Sequence, residues 1–147
     1  MWRVERASAI HPNSPHSTLF SPLSTLHSPL SILLLLHYPK CSTCRKALKW
    51  AEANGLQPTL RHIVDERPTA EELAQWIDRS GLPVQKFFNT SGVVYKERGL
   101  KEVVKTAWRD ALIALLAEDG KLVKRPLMIT PERVLVGFNE ADWATLL

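Results

Sequence analysis

The feature that most constrains the fold is a Cys-x-x-Cys motif that stands between a short apolar segment and a helical pattern. Residues 32–36 are one isoleucine and four leucines, and a continuously apolar run of this length is typical of a fully buried strand. From Cys44 onward, Ala47 and Ala51 recur at helical spacing. The sequence therefore predicts a buried strand that leads into a helix, with Cys41 and Cys44 at the junction.

The rest of this region predicts further strands and helices. A capping box at 69–72 predicts the start of a second helix, because the Thr69 hydroxyl can accept a hydrogen bond from the backbone of Glu72. Residues 82–116 predict short helices, interrupted at 89–92, with a buried stripe of Leu112, Leu115 and Leu116. Three more strands are predicted over 58–64, 127–130 and 133–137, and an N-capped terminal helix over 139–143.

The order of these elements predicts an α/β protein with a thioredoxin-like fold. A parallel βαβ unit comes first and an antiparallel ββα unit comes last. Together they would form a mixed four-stranded sheet, with a helical insertion between the two halves. We expect this single domain to span residues 32–147.

Residues 1–31 have a different composition. They carry four of the ten prolines and three of the five histidines but a single acidic residue, Glu5. Such a Ser/Pro-rich segment has no periodic apolar face, so we expect a disordered extension. A transit peptide, or a translation start assigned too far upstream, are the alternatives. A secretory signal is disfavoured because its apolar core would be too short, so a cytoplasmic location is expected.

Charge and hydropathy exclude two further classes of function. The net charge is +4 and the pI is near 9.3, but basic and acidic residues are interleaved and no basic block occurs. Direct binding of nucleic acid is therefore not expected. A membrane-spanning helix would need an apolar run of about 18 residues, and the sequence contains none.

The two cysteines indicate redox chemistry. A bridge between Cys41 and Cys44 closes too short a loop to act as a structural staple. The unpaired N–H groups in the first turn of a helix favour the thiolate, which is the reactive form, and Lys40 and Arg45 add positive charge. We expect Cys41 to ionise more readily and Cys44 to close a disulfide with it. Half of a zinc site and simple packing stay open as alternatives, although no further cysteine could complete a zinc site.

Residues 37–46, His-Tyr-Pro-Lys-Cys-Ser-Thr-Cys-Arg-Lys, and 124–127, Lys-Arg-Pro-Leu, resemble the arsenate-reductase-like family, which also contains the Spx and MgsR transcription regulators. The segments 89–92 and 119–122 match the same family, so the resemblance covers residues 32–147. It implies that Cys41 is the nucleophile, that Arg45 and Arg125 bind the anionic substrate or stabilise the thiolate, and that Pro126 is a cis-proline.

The resemblance implies a thiol–disulfide oxidoreductase that needs no bound metal or nucleotide. Its electrons would come from thioredoxin, or from glutaredoxin with glutathione. Two departures from glutathione-dependent arsenate reductases place the chain in the Cys-x-x-Cys branch of the family. Cys44 is present, and Asn89 lies near the position of a family arginine. The alternative implied by the same branch is a redox-sensing regulator that binds RNA polymerase through the C-terminal domain of its α chain.

Overall fold

The computed structural model describes residues 33–147, so the expectations for residues 1–31 lie outside the described part of the chain. The strands are β1 (Leu34–His37), β2 (Thr59–His62), β3 (Leu127–Ile129) and β4 (Val134–Val136). The helices are α1 (Ser42–Ala53), α2 (Ala70–Ser80), α3 (Val93–Glu97), α4 (Lys101–Thr106), α5 (Arg109–Glu118) and α6 (Glu140–Ala144). Two 3-10 turns, Val84–Phe87 and Gly120–Leu122, complete the secondary structure of residues 33–147.

The four strands form one mixed sheet in the order β2-β1-β3-β4. β1 and β2 run parallel, whereas β3 is antiparallel to both of its neighbours, β1 and β4. Helices α2 to α5 lie between β2 and β3 in the chain and form the insertion. The predicted α/β thioredoxin-like fold with a helical insertion is therefore confirmed.

Two hydrophobic clusters cover the two faces of the sheet. Successive side chains of a strand point to opposite faces, and accordingly Leu35 and Leu36 belong to different clusters. The Leu35 cluster includes Ala47, Ala51, Leu56, Met128, Trp143 and Leu146, from α1, α6 and the sheet. The Leu36 cluster lies mainly on α2 and α5, with one residue after β2 and one in the first 3-10 turn, and includes Ile63, Leu73, Trp76, Phe87, Leu112, Ile113 and Leu116. The sheet thus lies between two layers of helix.

The predicted helix starts and stops agree with the structure at two positions. At the start of α2, the Glu72 backbone N–H donates to the Thr69 hydroxyl at 3.1 Å, and the Thr69 N–H donates to the Glu72 carboxylate at 3.0 Å. At its end, Gly81 takes the left-handed conformation with φ of 72°, which a glycine adopts without steric cost. These caps fix the length of α2.

The structure corrects the sequence prediction in details of length and burial. The strands predicted over 58–64 and 133–137 are shorter, because only Thr59–His62 and Val134–Val136 pair with a neighbouring strand. In α5, Leu115 is only half-buried and Ile113 is buried in its place. The helix packs through the face that carries Leu112, Ile113 and Leu116, so the predicted stripe was wrong at that one position.

Candidate active site

Cys41 lies at the N-cap of α1, between the end of β1 and the first helical turn. Its backbone is extended, with φ of −90° and ψ of 122°, and its N–H donates to the Tyr38 carbonyl at 2.9 Å. The first turn of α1 holds no acidic residue. The backbone N–H groups of Thr43 and Cys44 are among the groups that lower the pKa of Cys41. A strand end and a helix start thus place this half-buried sulfur where negative charge is favoured.

Cys44 lies on the inner side of the same turn. It is fully buried, and its sulfur accepts a hydrogen bond from the Tyr38 backbone N–H at 3.4 Å. Burial, together with the hydrogen bond to Cys41 and the charge of Cys41, raises the pKa of the Cys44 thiol to about 12, although the Tyr38 N–H and Arg125 oppose these effects. Cys44 is therefore held as a neutral thiol.

The pKa of Cys41 shifts in the opposite direction. Burial alone would raise it, but the hydrogen bonds that the sulfur accepts outweigh that effect and lower the pKa below its usual value. The donors are the Cys44 backbone N–H, the Cys44 thiol, the Arg125 guanidinium and the Thr43 backbone N–H. Two thiols one helical turn apart are thus a nucleophile and a proton-bearing neighbour.

Arg125 reaches Cys41 from the loop before β3. Its peptide bond to Pro126 is cis, as the sequence resemblance implies. Its Nη1 donates to the Lys121 carbonyl oxygen at 3.2 Å. The side chain lines the same cleft as Cys41 and is one of the causes that lower the pKa of Cys41. Its carbon Cζ lies 4.9 Å from the centre of the Tyr38 ring. The pairing of β3 with β1 therefore brings a cation from a distant part of the chain to the cysteine.

The loop of residues 89–92 faces the cysteines across a cleft. This loop is tied to the segment before Arg125 by the hydrogen bond from the Asn89 N–H to the Leu122 carbonyl, 2.8 Å, and from the Lys124 N–H to the Phe87 carbonyl, 2.7 Å. The cleft has a volume of about 590 Å³. It is lined by Cys41, Thr43, Phe88, Asn89, Thr90, Ser91, Gly92, Val93, Lys124, Arg125, Gly137 and Phe138. Its wall is thus mostly polar, with two cations beside the cysteine.

Of the four site residues predicted from the sequence, the structure brings Cys41, Cys44 and Arg125 together. Arg45 points elsewhere, because its Nη1 donates to the Pro39 carbonyl oxygen at 2.9 Å, and it does not line the cleft. The guanidinium closes the turn between β1 and α1 in this arrangement. Binding of an anionic substrate by Arg45 stays a prediction.

Sequence reasoning did not select several residues that the structure places at the site. Asn89, Ser91 and Lys124 line the cleft, and Tyr38 contacts Arg125 and both cysteines. The signals were present, since each lies within one of the segments that carry the family resemblance. Their spatial relationship was missing, because it depends on the pairing of distant strands.

A metal site has little support among residues 33–147. No group of three or more His, Cys, Asp or Glu residues in that range is arranged to hold an ion. His37 and His62 face each other on β1 and β2 with ring centres 6.3 Å apart. Burial, and then the proximity of His62, lowers the pKa of His37.

Among residues 33–147, no helix is long and apolar enough to cross a bilayer.

The sequence model of the ArsC family matches residues 36–146. YusI of Bacillus subtilis, described as uncharacterized, is 50% identical over 73% of this chain and 94% of its own length. The arsenate reductase of Escherichia coli K12 is 31% identical over 67% of this chain and 69% of the enzyme. The regulatory protein MgsR of Bacillus subtilis is 27% identical over 75% of this chain and 86% of MgsR.

A solved structure agrees with these sequence relationships. The crystal structure of a putative ArsC-family related protein from Bacteroides fragilis superposes with a TM-score of 0.77 and 56% sequence identity. The match covers 78% of this chain and 97% of that protein. The similarity therefore extends over the sheet, the insertion and the cleft.

Proposed function

Because the chain belongs to the ArsC family, we propose that it is a thiol–disulfide oxidoreductase in which Cys41 is the nucleophile and Cys44 the resolving thiol. The observation that carries the proposal is the opposite shift of the two pKa values within one helical turn. A thiolate attacks electrophiles, whereas a thiol does not. Cys41 is therefore the reactive thiolate in this proposal, and Cys44 stays protonated until the resolving step.

The resolving step requires Cys44 to lose its proton after Cys41 has reacted. The Cys41 thiolate is itself one cause of the raised pKa of Cys44, through the hydrogen bond and its charge. When Cys41 forms a covalent bond its charge is lost, so the hydrogen bond and the charge no longer raise the pKa of Cys44. Burial still raises this pKa, and the Tyr38 N–H opposes it. The first step thus makes the proton of Cys44 easier to remove.

Arsenate is the electrophile that the similarity to arsenate reductases supports. The Cys41 thiolate would attack arsenic, and an S–As bond would form as hydroxide leaves with a proton as water. The Cys44 thiol would then lose its proton and attack the Cys41 sulfur, so that an S–S bond forms and the S–As bond breaks. The electron pair of the broken bond stays on arsenic, which leaves as arsenite. The two thiols are oxidised by two electrons and arsenate is reduced by two.

The disulfide must then be reopened by an external thiol donor. We propose thioredoxin, or glutaredoxin with glutathione, as that donor, acting in the cytoplasm without any bound cofactor on this chain. The polar, open cleft beside Cys41 supports access by a small anion or by a partner's thiol. Lys124 and Arg125 would hold the oxyanion there.

The experiment is turnover of arsenate by the full chain, coupled to each donor system, with arsenite measured directly. Cys41→Ser should abolish turnover. Cys44→Ser should stop at an adduct on Cys41, visible by mass spectrometry. Ser42→Ala is the matched control, because Ser42 lies between the cysteines, is exposed and does not line the cleft. Absence of turnover with every donor, together with no Cys41–Cys44 disulfide after oxidation, would refute the proposal.

A second function is favoured by the similarity to MgsR over most of that regulator's length. In it, the same two cysteines would be a switch, and the partner would be RNA polymerase, through the C-terminal domain of its α chain. A pull-down with that domain discriminates the two functions. Binding that changes with the oxidation state of Cys41 and Cys44 supports the regulator, and binding by neither form removes it.

A further inference from the structure

The side chain of Tyr38 lies between Arg125 and His62. The guanidinium carbon of Arg125 is 4.9 Å from the centre of the Tyr38 ring, within the range of about 6 Å in which a cation is attracted to an aromatic face. His62 meets the same ring edge-on, with ring centres 5.7 Å apart and planes at 85°. The ring is therefore held in place from β2 while it contacts the arginine.

The backbone of Tyr38 contacts both cysteines. Its carbonyl accepts the Cys41 N–H at 2.9 Å, and its N–H donates to the Cys44 sulfur at 3.4 Å. These two hydrogen bonds fix the position of the residue relative to the two sulfurs. Because they come from the backbone, a change of the side chain leaves both donors and acceptors in place.

Arg125 has few other contacts that would fix its guanidinium. Nη1 donates to the Lys121 carbonyl at 3.2 Å, and the side chain lines the same cleft as Cys41. Its Nε is buried and has no hydrogen-bond partner in the structure. A single hydrogen bond to a carbonyl leaves a planar, five-donor group free to turn, so the aromatic face is the remaining surface against which it rests.

We propose that Tyr38 is a positioning residue whose aromatic ring holds the Arg125 guanidinium against the Cys41 sulfur. The inference rests on the proposed function, since it assigns a role in preparing the Cys41 nucleophile. Tyr38 acts through Arg125, because its own hydrogen bonds to the two cysteines come from its backbone. Its contribution is therefore expected to vanish when Arg125 is absent.

The test measures the ionisation of Cys41 from the pH dependence of its alkylation by iodoacetamide, followed by mass spectrometry. Tyr38→Leu removes the ring and should raise the pKa of Cys41 by about half to one unit, a loss of thiolate of about three- to tenfold at a fixed pH below the pKa. Tyr38→Phe keeps the aromatic face and should restore a profile close to the original. His37, His62, Glu97, Lys121 and Lys124 also surround the site, but they are unchanged in each comparison.

The double variant separates positioning from general packing. In an Arg125→Ala background, Tyr38→Leu should cause no further shift in the pKa of Cys41. The proposal would be overturned if Tyr38→Leu shifted the pKa of Cys41 equally with and without Arg125. It would also be overturned if Tyr38→Leu alone caused no shift in that pKa. Tyr38→Met provides a second ring-free variant if the leucine variant does not fold. Failure of the proposed function would instead appear as an absence of arsenate turnover and of a Cys41–Cys44 disulfide. It would leave the alkylation profiles of Cys41 unaffected.

Discussion

Cys41 stands at the N-cap of α1 and Cys44 follows three residues later, and the hydrogen bond between the two thiols shifts their pKa values in opposite directions. It stabilises the Cys41 thiolate as an acceptor and keeps the proton on Cys44 as a donor. Burial also keeps the proton on Cys44, because its sulfur lies wholly within the protein. The asymmetry of the pair thus arises from which sulfur faces the cleft.

Removing the Cys44 donor should make Cys41 less acidic. For Cys44→Ala we expect the pKa of Cys41 to rise by about one unit, since a hydrogen bond to a charged group contributes about 1.5–3 kcal/mol and the remaining donors stay in place. Cys44→Ser keeps a hydroxyl donor and is the control. The measurement is the alkylation rate of Cys41 against pH. Identical profiles for alanine and serine would contradict a role for this hydrogen bond.

A guanidinium placed opposite Cys41 should favour an oxyanion. Asn89 lines the cleft, and the family resemblance of the sequence implies an arginine near this position. Asn89→Arg should raise kcat/KM for arsenate about tenfold, because a bidentate donor is added to the pocket. Asn89→Gln changes the length without adding charge and should give no gain. A gain shared by both variants would show that charge is not the cause.

Acid should weaken the packing of α2 against β2. Arg61 makes two hydrogen bonds to the Glu72 carboxylate, at 2.8 and 2.9 Å, and these together lower the pKa of Glu72 to about 2. Because the folded pKa lies below the unfolded value of 4.5, the stabilisation is complete above pH 4.5 and is lost as the pH falls through about 2.

Glu72→Gln should therefore flatten the pH dependence of the unfolding free energy in that acidic range. The expected loss at neutral pH is about 1–2 kcal/mol, after allowance for the partial exposure of the carboxylate. Glu71→Gln is the matched control, since Glu71 is exposed in the same helical turn. Chemical denaturation at a series of acidic pH values measures the unfolding free energy of both variants. If the two variants showed the same pH dependence, the ion pair of Arg61 with Glu72 would not be its cause.

A methyl group at Gly120 should disrupt the contact between the insertion and the sheet. A Cβ there would overlap the carbonyl oxygen of Ile63 and would lie 2.7 Å from its carbonyl carbon and 2.9 Å from the Cα of Val64. These are backbone atoms, which cannot turn away. Gly120→Ala should cost at least about 3 kcal/mol of unfolding free energy, at the upper end of the usual effect of overpacking.

Gly55→Ala is the comparison for Gly120→Ala. A Cβ at Gly55 meets nothing within 4 Å, and only its φ of 78° opposes a side chain, so its cost should be about 1–2 kcal/mol. Urea unfolding of the two variants gives the difference. A Gly120 variant as stable as the Gly55 variant would mean that the loop can move away from Ile63.

The sequence predicted the local parts of the site well. The strand before Cys41, the helix after it and the caps of α2 depend on neighbouring residues, whose spacing is visible in the sequence. The proximity of Arg125 came only from the family resemblance, because it depends on β3 pairing with β1. The contact of Gly120 with Ile63 and the hydrogen bond from Arg45 to Pro39 gave no signal, since they depend on loop paths and on side-chain rotamers.

The antiparallel pairing of β1 with β3 is what brings Arg125 to Cys41. The two residues stand far apart along the polypeptide, so a copy of the chain that lacks this pairing loses the arginine's part in lowering the pKa of Cys41 and keeps only the part that comes from α1 itself. The rate at which Cys41 is alkylated therefore reports in part on whether the tertiary structure around the cleft has formed.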